Sequence, residues 1–183
     1  MEMEQTCCLV GHRPQHLPYG LDESHPDYMR MKKRIRQEMQ RLFMEENVIH
    51  FITGMAQGTE QIGAQLVLEL KKICPQITLE CAIPYEEQAA RWPECQRERY
   101  FTILASCDTE TLLQTKYDRG CMRRKAEYMA DHSGFVLAVW DGSTRSEVGR
   151  TIRYARKLRR RITIIHPKTL EITRENELNL PAD

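Results

Sequence analysis

The stretch most suggestive of chemistry is Thr53-Gly54-Met55-Ala56-Gln57-Gly58-Thr59-Glu60. It lies between an apolar run and an amphipathic one. A strand, a glycine-bearing turn and then a helix offer backbone N–H groups and a helix dipole to an anion. Gly54 and Gly58 lack side chains that would block such an approach. The same glycines also suit a tight strand-to-helix connection with no ligand. The spacing is neither GxGxxG nor GxxxxGK[ST], so neither the dinucleotide nor the P-loop fingerprint is present.

Three further stretches carry chemistry-bearing side chains. In Gly11-His12-Arg13-Pro14, Arg13 presents a planar fork suited to phosphate, and His12 a pH-sensitive donor or base. A loop histidine beside a surface arginine is the plainer reading. Around Tyr85, Gln88 and Trp92, the rings can stack on a base or fill the core. Asp141-Gly142-Ser143 suits ribose hydroxyls or phosphate, and equally a turn followed by a helix N-cap. Cys7, Cys8, His12 and His16 cluster in sequence. They contain no CxxC pair, and neighbouring strand residues face opposite ways, so no zinc site is expected. No GxSxG, HExxH or paired-carboxylate pattern appears.

The elements that must position these residues follow from the hydrophobic pattern. Apolar runs at Thr6–Val10, Val48–Thr53, Thr78–Ile83, Gly134–Trp140 and Arg161–His166 read as strands, with a weaker one at Thr109–Thr115. Tyr28, Met31, Ile35, Met39 and Leu42 form one stripe of a helix over Asp27–Glu46. Further helices are predicted over Gln61–Ile73, Glu94–Cys107, Gly120–His132 and Glu147–Arg159, with a short one over Glu86–Ala90. Ser143 or Ser146 is the cap of the helix beginning near Glu147. Alternating strands and helices imply an α/β domain, a doubly wound, mostly parallel sheet with helices on both faces. In such sheets ligands bind beyond the carboxyl ends of the strands, where every stretch named above falls.

Composition bounds the rest. A chain of 183 residues suits one domain, with a core over about 6–166 and residues 167–183 as a peripheral tail. Lys plus Arg is 27 and Asp plus Glu is 26, for a net charge of +1, which excludes a chain that is basic throughout. A local patch survives that average: eight basic residues and one acid, Glu147, lie between Arg145 and Arg161. No apolar run is long enough to span a membrane, and the polar, acidic N-terminus is not a secretory signal. Seven cysteines, most of them within predicted elements, read as small apolar residues of a reduced, cytoplasmic protein.

Taken together the motifs resemble a known family. Gly11-His12-Arg13-Pro14, the Gly54–Glu60 turn and Pro84-Tyr85-x-x-Gln88-x-x-x-Trp92 are similar, in that order, to the signatures of the YpsA-like family. So are Tyr128–Ser133 and Ala138–Gly142. That family, long a domain of unknown function, lies in the SLOG superfamily of Rossmann-like domains, with DprA and the Lonely-guy phosphoribohydrolases. The resemblance implies a three-layer Rossmann-like fold binding a nucleotide or nucleotide derivative, such as ADP-ribose or an NAD-like molecule. By matching positions it implies a site containing Gly11, His12, Arg13, Gly54, Gly58, Glu60, Tyr85, Gln88, Trp92 and Asp141. Thr53, Thr59, Gly142 and Ser143 adjoin them.

Departures from the pattern qualify the resemblance. Glu60 stands where the family carries Asp, Lys125-Ala126 where it carries Arg-Asn, and Ser146-Glu147-Val148 where it carries Gly-Gly-Thr. The last change places side chains, one of them anionic, where a second phosphate-contacting loop would be. The expectation is a nucleotide-binding sensor or regulator, with phosphate on the Gly54–Gly58 turn and Arg13, and a base on Tyr85 or Trp92. One alternative is N-glycosidic cleavage with Glu60 as base. Another is nucleic acid binding through the 145–161 helix. A third is a protein-interaction module. No metal is expected, and homo-oligomerisation is left open.

Overall fold

A computed structural model describes residues 2–176. Twelve main elements run in the order β1 (Thr6–Gly11), α1 (Pro26–Glu46), β2 (His50–Thr53), α2 (Thr59–Lys71), β3 (Thr78–Ile83), α3 (Glu94–Leu104), β4 (Thr109–Leu112), α4 (Cys121–Asp131), β5 (Phe135–Val139), α5 (Glu147–Lys157), β6 (Arg161–Ile165) and β7 (Ile172–Glu175). The strands form a single sheet in the order β4-β3-β2-β1-β5-β6-β7. All pairings are parallel except β6 with β7. β1 lies at the centre and is buried along its whole length, which is why its run reads as unbroken apolar sequence.

Each face of the sheet carries its own core. Cys7, Leu9, Phe51 and Leu79 meet the stripe of α1 together with Leu66, Val67 and Leu70 of α2 and Tyr100 and Ile103 of α3. Cys8, Val10, Ile52 and Val136 point the other way, toward Met129 of α4 and Val148, Ile152 and Ala155 of α5. Cys7 and Cys8 thus belong to opposite cores, as strand alternation requires. Burying one large apolar side chain of this kind stabilises the fold by about 1.5–3 kcal/mol.

Local chemistry sets the ends of α1. His25 Nδ1 accepts from Asp27 N at 3.1 Å, Pro26 starts the first turn, and Asn47 closes the last in a left-handed conformation. Two expectations differ from the structure. Residues 86–91 make successive turns rather than a helix, with bonds from Gln88 N to Tyr85 O and from Ala90 N to Glu87 O. Residues 172–175, expected in a peripheral tail, form the edge strand β7, and Leu170 and Ile172 pack on the larger core. Residues 177–183 of that tail lie outside the described residues. Among the described residues no helix is long and apolar enough to cross a membrane.

Candidate functional site

The strand order places a switch point between β1 and β5. From β1 the chain builds outward through β2, β3 and β4, then α4 carries it back to lay β5 on the other side of β1. Ligands bind at such points, beyond the strand ends. Gly11 and Val139 end the two strands side by side. Beyond them His12, buried, sets Nε2 2.9 Å from Asp141 Oδ1 and 3.2 Å from the Asp141 backbone nitrogen. Partial burial of Asp141 works against its charge. The Ser143 backbone N–H and His12 outweigh that and hold its carboxyl below the usual range. The Asp141–Ser143 stretch is a turn that leads into a cap. Ser143 O accepts from Trp140 Nε1, and Ser146 Oγ accepts from Gly149 N at 3.0 Å to begin α5.

The β2–α2 turn is tied down from four sides. Ala56 N donates to Glu60 Oε2 at 3.0 Å, and Met55 N to Thr53 Oγ1 at 3.3 Å. Thr59 donates through both N and Oγ1 to His12 O, joining this turn to the β1 loop. Gln88 Nε2 donates to Gly54 O at 3.0 Å. Across the top lies Lys125 of α4, whose Nζ is 3.1 Å from Glu60 Oε2 with both side chains buried. A Cβ at residue 54 would sit 2.4 Å from Lys125 Cδ, so glycine is what admits the lysine. Gly58 has φ +88° and ψ −126°, a conformation closed to side-chain-bearing residues. Three of the backbone donors expected to face an anion, those of Met55, Ala56 and Thr59, therefore have protein acceptors.

The open space lies beside this turn. A cleft of about 610 Å³ runs between α4 and α5 above the ends of β1 and β2. Arg119, Arg123 and Lys125 line it from the α4 side, Arg150, Arg153 and Lys157 from α5, and Arg13 from the β1 loop. Among the described residues three carboxylates, Glu60, Glu127 and Glu147, line it with them. Arg13 Nη2 is 2.9 Å from Glu147 Oε2. The exposed ring of Tyr117 also lines the cleft, and Tyr85 braces it edge-on at 5.3 Å.

The expected residues thus separate. Gly11, Arg13 and Glu60 line the cleft, while His12, Thr53, Gly54, Gly58, Thr59 and Gln88 do not line it but tie together the loop and turn beside it. Trp92 stands apart, packing edge-on against Tyr100 at the larger core at 5.4 Å, and the exposed ring in the cleft is that of Tyr117, which was not among the expected residues. The basic 145–161 stretch, expected as one helix, also divides: α5 ends at Lys157 and Arg161 opens β6. Arg156 pairs with Glu175, Arg160 donates to Ala130 O, and Arg161 pairs with Glu46, so these three hold the fold. The contribution of α4 was not foreseen. Its signal is the Arg123–Glu127 spacing, which puts two charges on one face of the helix, with Arg119 just ahead of its first turn.

A model of the YspA SLOG family matches residues 7–170. The chain is 32% identical over 157 residues to the uncharacterized SPbeta prophage-derived protein YoqJ of Bacillus subtilis, covering 78% of this chain and 91% of that one. Two solved structures share the fold, each at 12% identity and covering 92% of this chain. One is DNA processing protein A from Streptococcus pneumoniae, with a TM-score of 0.56 and 53% of that chain covered. The other is DNA processing protein A from Helicobacter pylori, described for its single-stranded DNA binding mode, with a TM-score of 0.58 and 68% covered. The chain thus spans about half the length of the Streptococcus protein.

Proposed function

The chain belongs to the YspA SLOG family, and from that premise we propose that it binds the phosphates of a nucleotide or nucleotide derivative in the α4–α5 cleft, acting as a sensor or regulator. One observation carries this reading: seven cationic side chains face three carboxylates around a cleft at the topological switch point. The excess of positive charge in the walls focuses the field and raises the local concentration of an anion. Tyr117 offers the ring against which a base would stack. Glu60, tied to Lys125 and Ala56 N, is suited to holding the turn rather than taking a proton, which favours binding over N-glycosidic cleavage.

The test is the melting temperature of the full chain against nucleotides, ADP-ribose, NAD and inorganic phosphate. A ligand at 100 times its Kd stabilises by about 2.7 kcal/mol. No shift with any of them sinks the proposal. A second reading rests on the cations that line the cleft from the α4 and α5 sides, which also suit the backbone of a single strand. DNA processing protein A of the same fold is described as binding single-stranded DNA. Affinity for an oligonucleotide that falls steeply with salt, with none for mononucleotides, would favour it.

A further inference from the structure

The Arg13–Glu147 pair stands between two spaces. The 610 Å³ cleft and a neighbouring hollow of about 210 Å³ are both lined by Gly11, Arg13, Glu147 and Val148. The pair is therefore part of their common wall. Its geometry leaves Arg13 half used. Nε and Nη2 form one edge of the guanidinium, the edge that grips a planar or tetrahedral anion with two parallel bonds. Glu147 faces Nη2 alone, while Nε is shielded from solvent and has no acceptor among the described residues. The side chains are 41% and 47% exposed, so water competes for the bond that is made.

We propose that Glu147 is a resident competitor for Arg13, displaced when a terminal phosphate of the ligand takes both Nε and Nη2. This rests on the reading of the cleft as a phosphate site and names how that site is regulated. The exchange replaces one half-exposed ion pair with two charge-assisted bonds and gives the shielded Nε its acceptor. It also removes part of the wall, so the two spaces become continuous. The chemistry that recognises the ligand is a phosphate monoester or a terminal polyphosphate, whose free oxygens reach both prongs. Glu147, fixed at the first residue of α5, reaches one.

Calorimetric titration of the full chain with ATP, inorganic phosphate and an oligonucleotide lacking terminal phosphates tests this, using the natural protein, Glu147→Gln and Arg13→Ala. Removing the competitor is expected to tighten ATP binding about fivefold, the equivalent of one exposed ion pair. Inorganic phosphate should gain in parallel. Arg13→Ala should weaken ATP at least about tenfold. If Arg13→Ala loses ATP but Glu147→Gln binds it no more tightly than the natural protein, the competitor idea fails and the cleft reading stands. If the natural protein and Glu147→Gln bind none of the three probes, both fail. A gain confined to the oligonucleotide overturns the assignment to a terminal phosphate. A measurement independent of variant folding is the Arg13 Nε–H resonance of the natural protein. It should move on adding ATP, and a signal unmoved at saturating ATP overturns the proposal.

Discussion

Two ion pairs of nearly equal length line one cleft and do different work. Lys125 and Glu60 lie 3.1 Å apart on the floor, Arg13 and Glu147 2.9 Å apart on the rim. On the floor both side chains are buried, Glu60 also accepts from Ala56 N, and the lysine fills the space above Gly54. On the rim both are nearly half exposed, and a shielded donor beside the bond has no acceptor. Distance therefore says little about what an ion pair is for. Desolvation and spare hydrogen-bonding capacity say more. The floor pair is a fixed part of the fold, and the rim pair can be exchanged at small cost.

The strongest way to break this contrast is to cut the floor pair. Lys125→Met leaves Glu60 as an unpaired buried carboxylate and should destabilise the protein by about 3–5 kcal/mol in urea denaturation. Replacing Glu60 with leucine as well should restore much of that loss, because a buried pair is often matched by apolar residues of similar volume. A single variant within 1 kcal/mol of the natural protein would mean that the floor is wetter than its burial implies.

A buried pair outside the cleft extends the comparison. Glu80 of β3 accepts from Thr111 Oγ1 and Tyr128 OH, both at 2.7 Å, and lies 3.1 Å from His50 Nε2. Burial alone would raise its pKa, but the bonds from His50, Tyr128 and Thr111 prevail and hold it at about 2. The folded value is depressed, so the stabilisation is present above the unfolded pKa of about 4.3 and is lost as pH falls through the folded value. The amount is about 3 kcal/mol. Glu80→Gln should therefore be less stable near pH 7, with the gap closing between about pH 4.3 and 2 in denaturation curves. A gap constant across that range contradicts the network's role.

The turn that supports the floor ranks next. Gly58→Ala must hold a positive φ and bring a Cβ within 2.8 Å of His12 O, where a backbone atom cannot easily yield. A loss of about 1–3 kcal/mol is expected. If the β1 loop is bound to this turn as tightly as the Thr59 bonds indicate, the same change should also weaken nucleotide binding in the melting assay.

How much of this was legible in the sequence varied with the range of the interaction. The central strands announced themselves because burial on two faces requires unbroken apolar runs, as in Phe135–Val139. The stripe of α1 followed from its period. The turns at 86–91 misled because Glu86, Glu87, Gln88, Ala89 and Ala90 include good helix formers. Pro84 and Pro93 bound the segment, and Gln88 is held by Gly54 O, a partner 34 residues away. β7 hid because an edge strand with mostly exposed side chains needs no apolar alternation. In the cleft the Gly11–Arg13 and Gly54–Glu60 stretches were visible as motifs. Lys125 stood out only as a departure from the family's arginine, because its meaning depends on Glu60, 65 residues earlier. The pairing of Arg13 with Glu147 was invisible for the same reason, and Glu147 read only as a repulsive charge.

The smallest stability effect is expected at the rim, where it separates structure from function most cleanly. Exposed pairs contribute about 0–1 kcal/mol, so Arg13→Ala and Glu147→Gln should each leave the unfolding free energy within about 1 kcal/mol of the natural value. Glu147 also sits in the first turn of α5, where a negative charge favours the helix dipole, so its replacement should be the slightly costlier of the two. Against that near-silence in the unliganded protein, the shift in melting temperature produced by ATP should shrink in Arg13→Ala and grow in Glu147→Gln. Opposite responses to ligand from two partners of one bond, at almost unchanged stability, cannot come from a pair that merely props up the fold. If instead both variants lose several kcal/mol before any ligand is added, the rim pair belongs with the floor pair, and the distinction drawn from exposure and the idle Nε collapses.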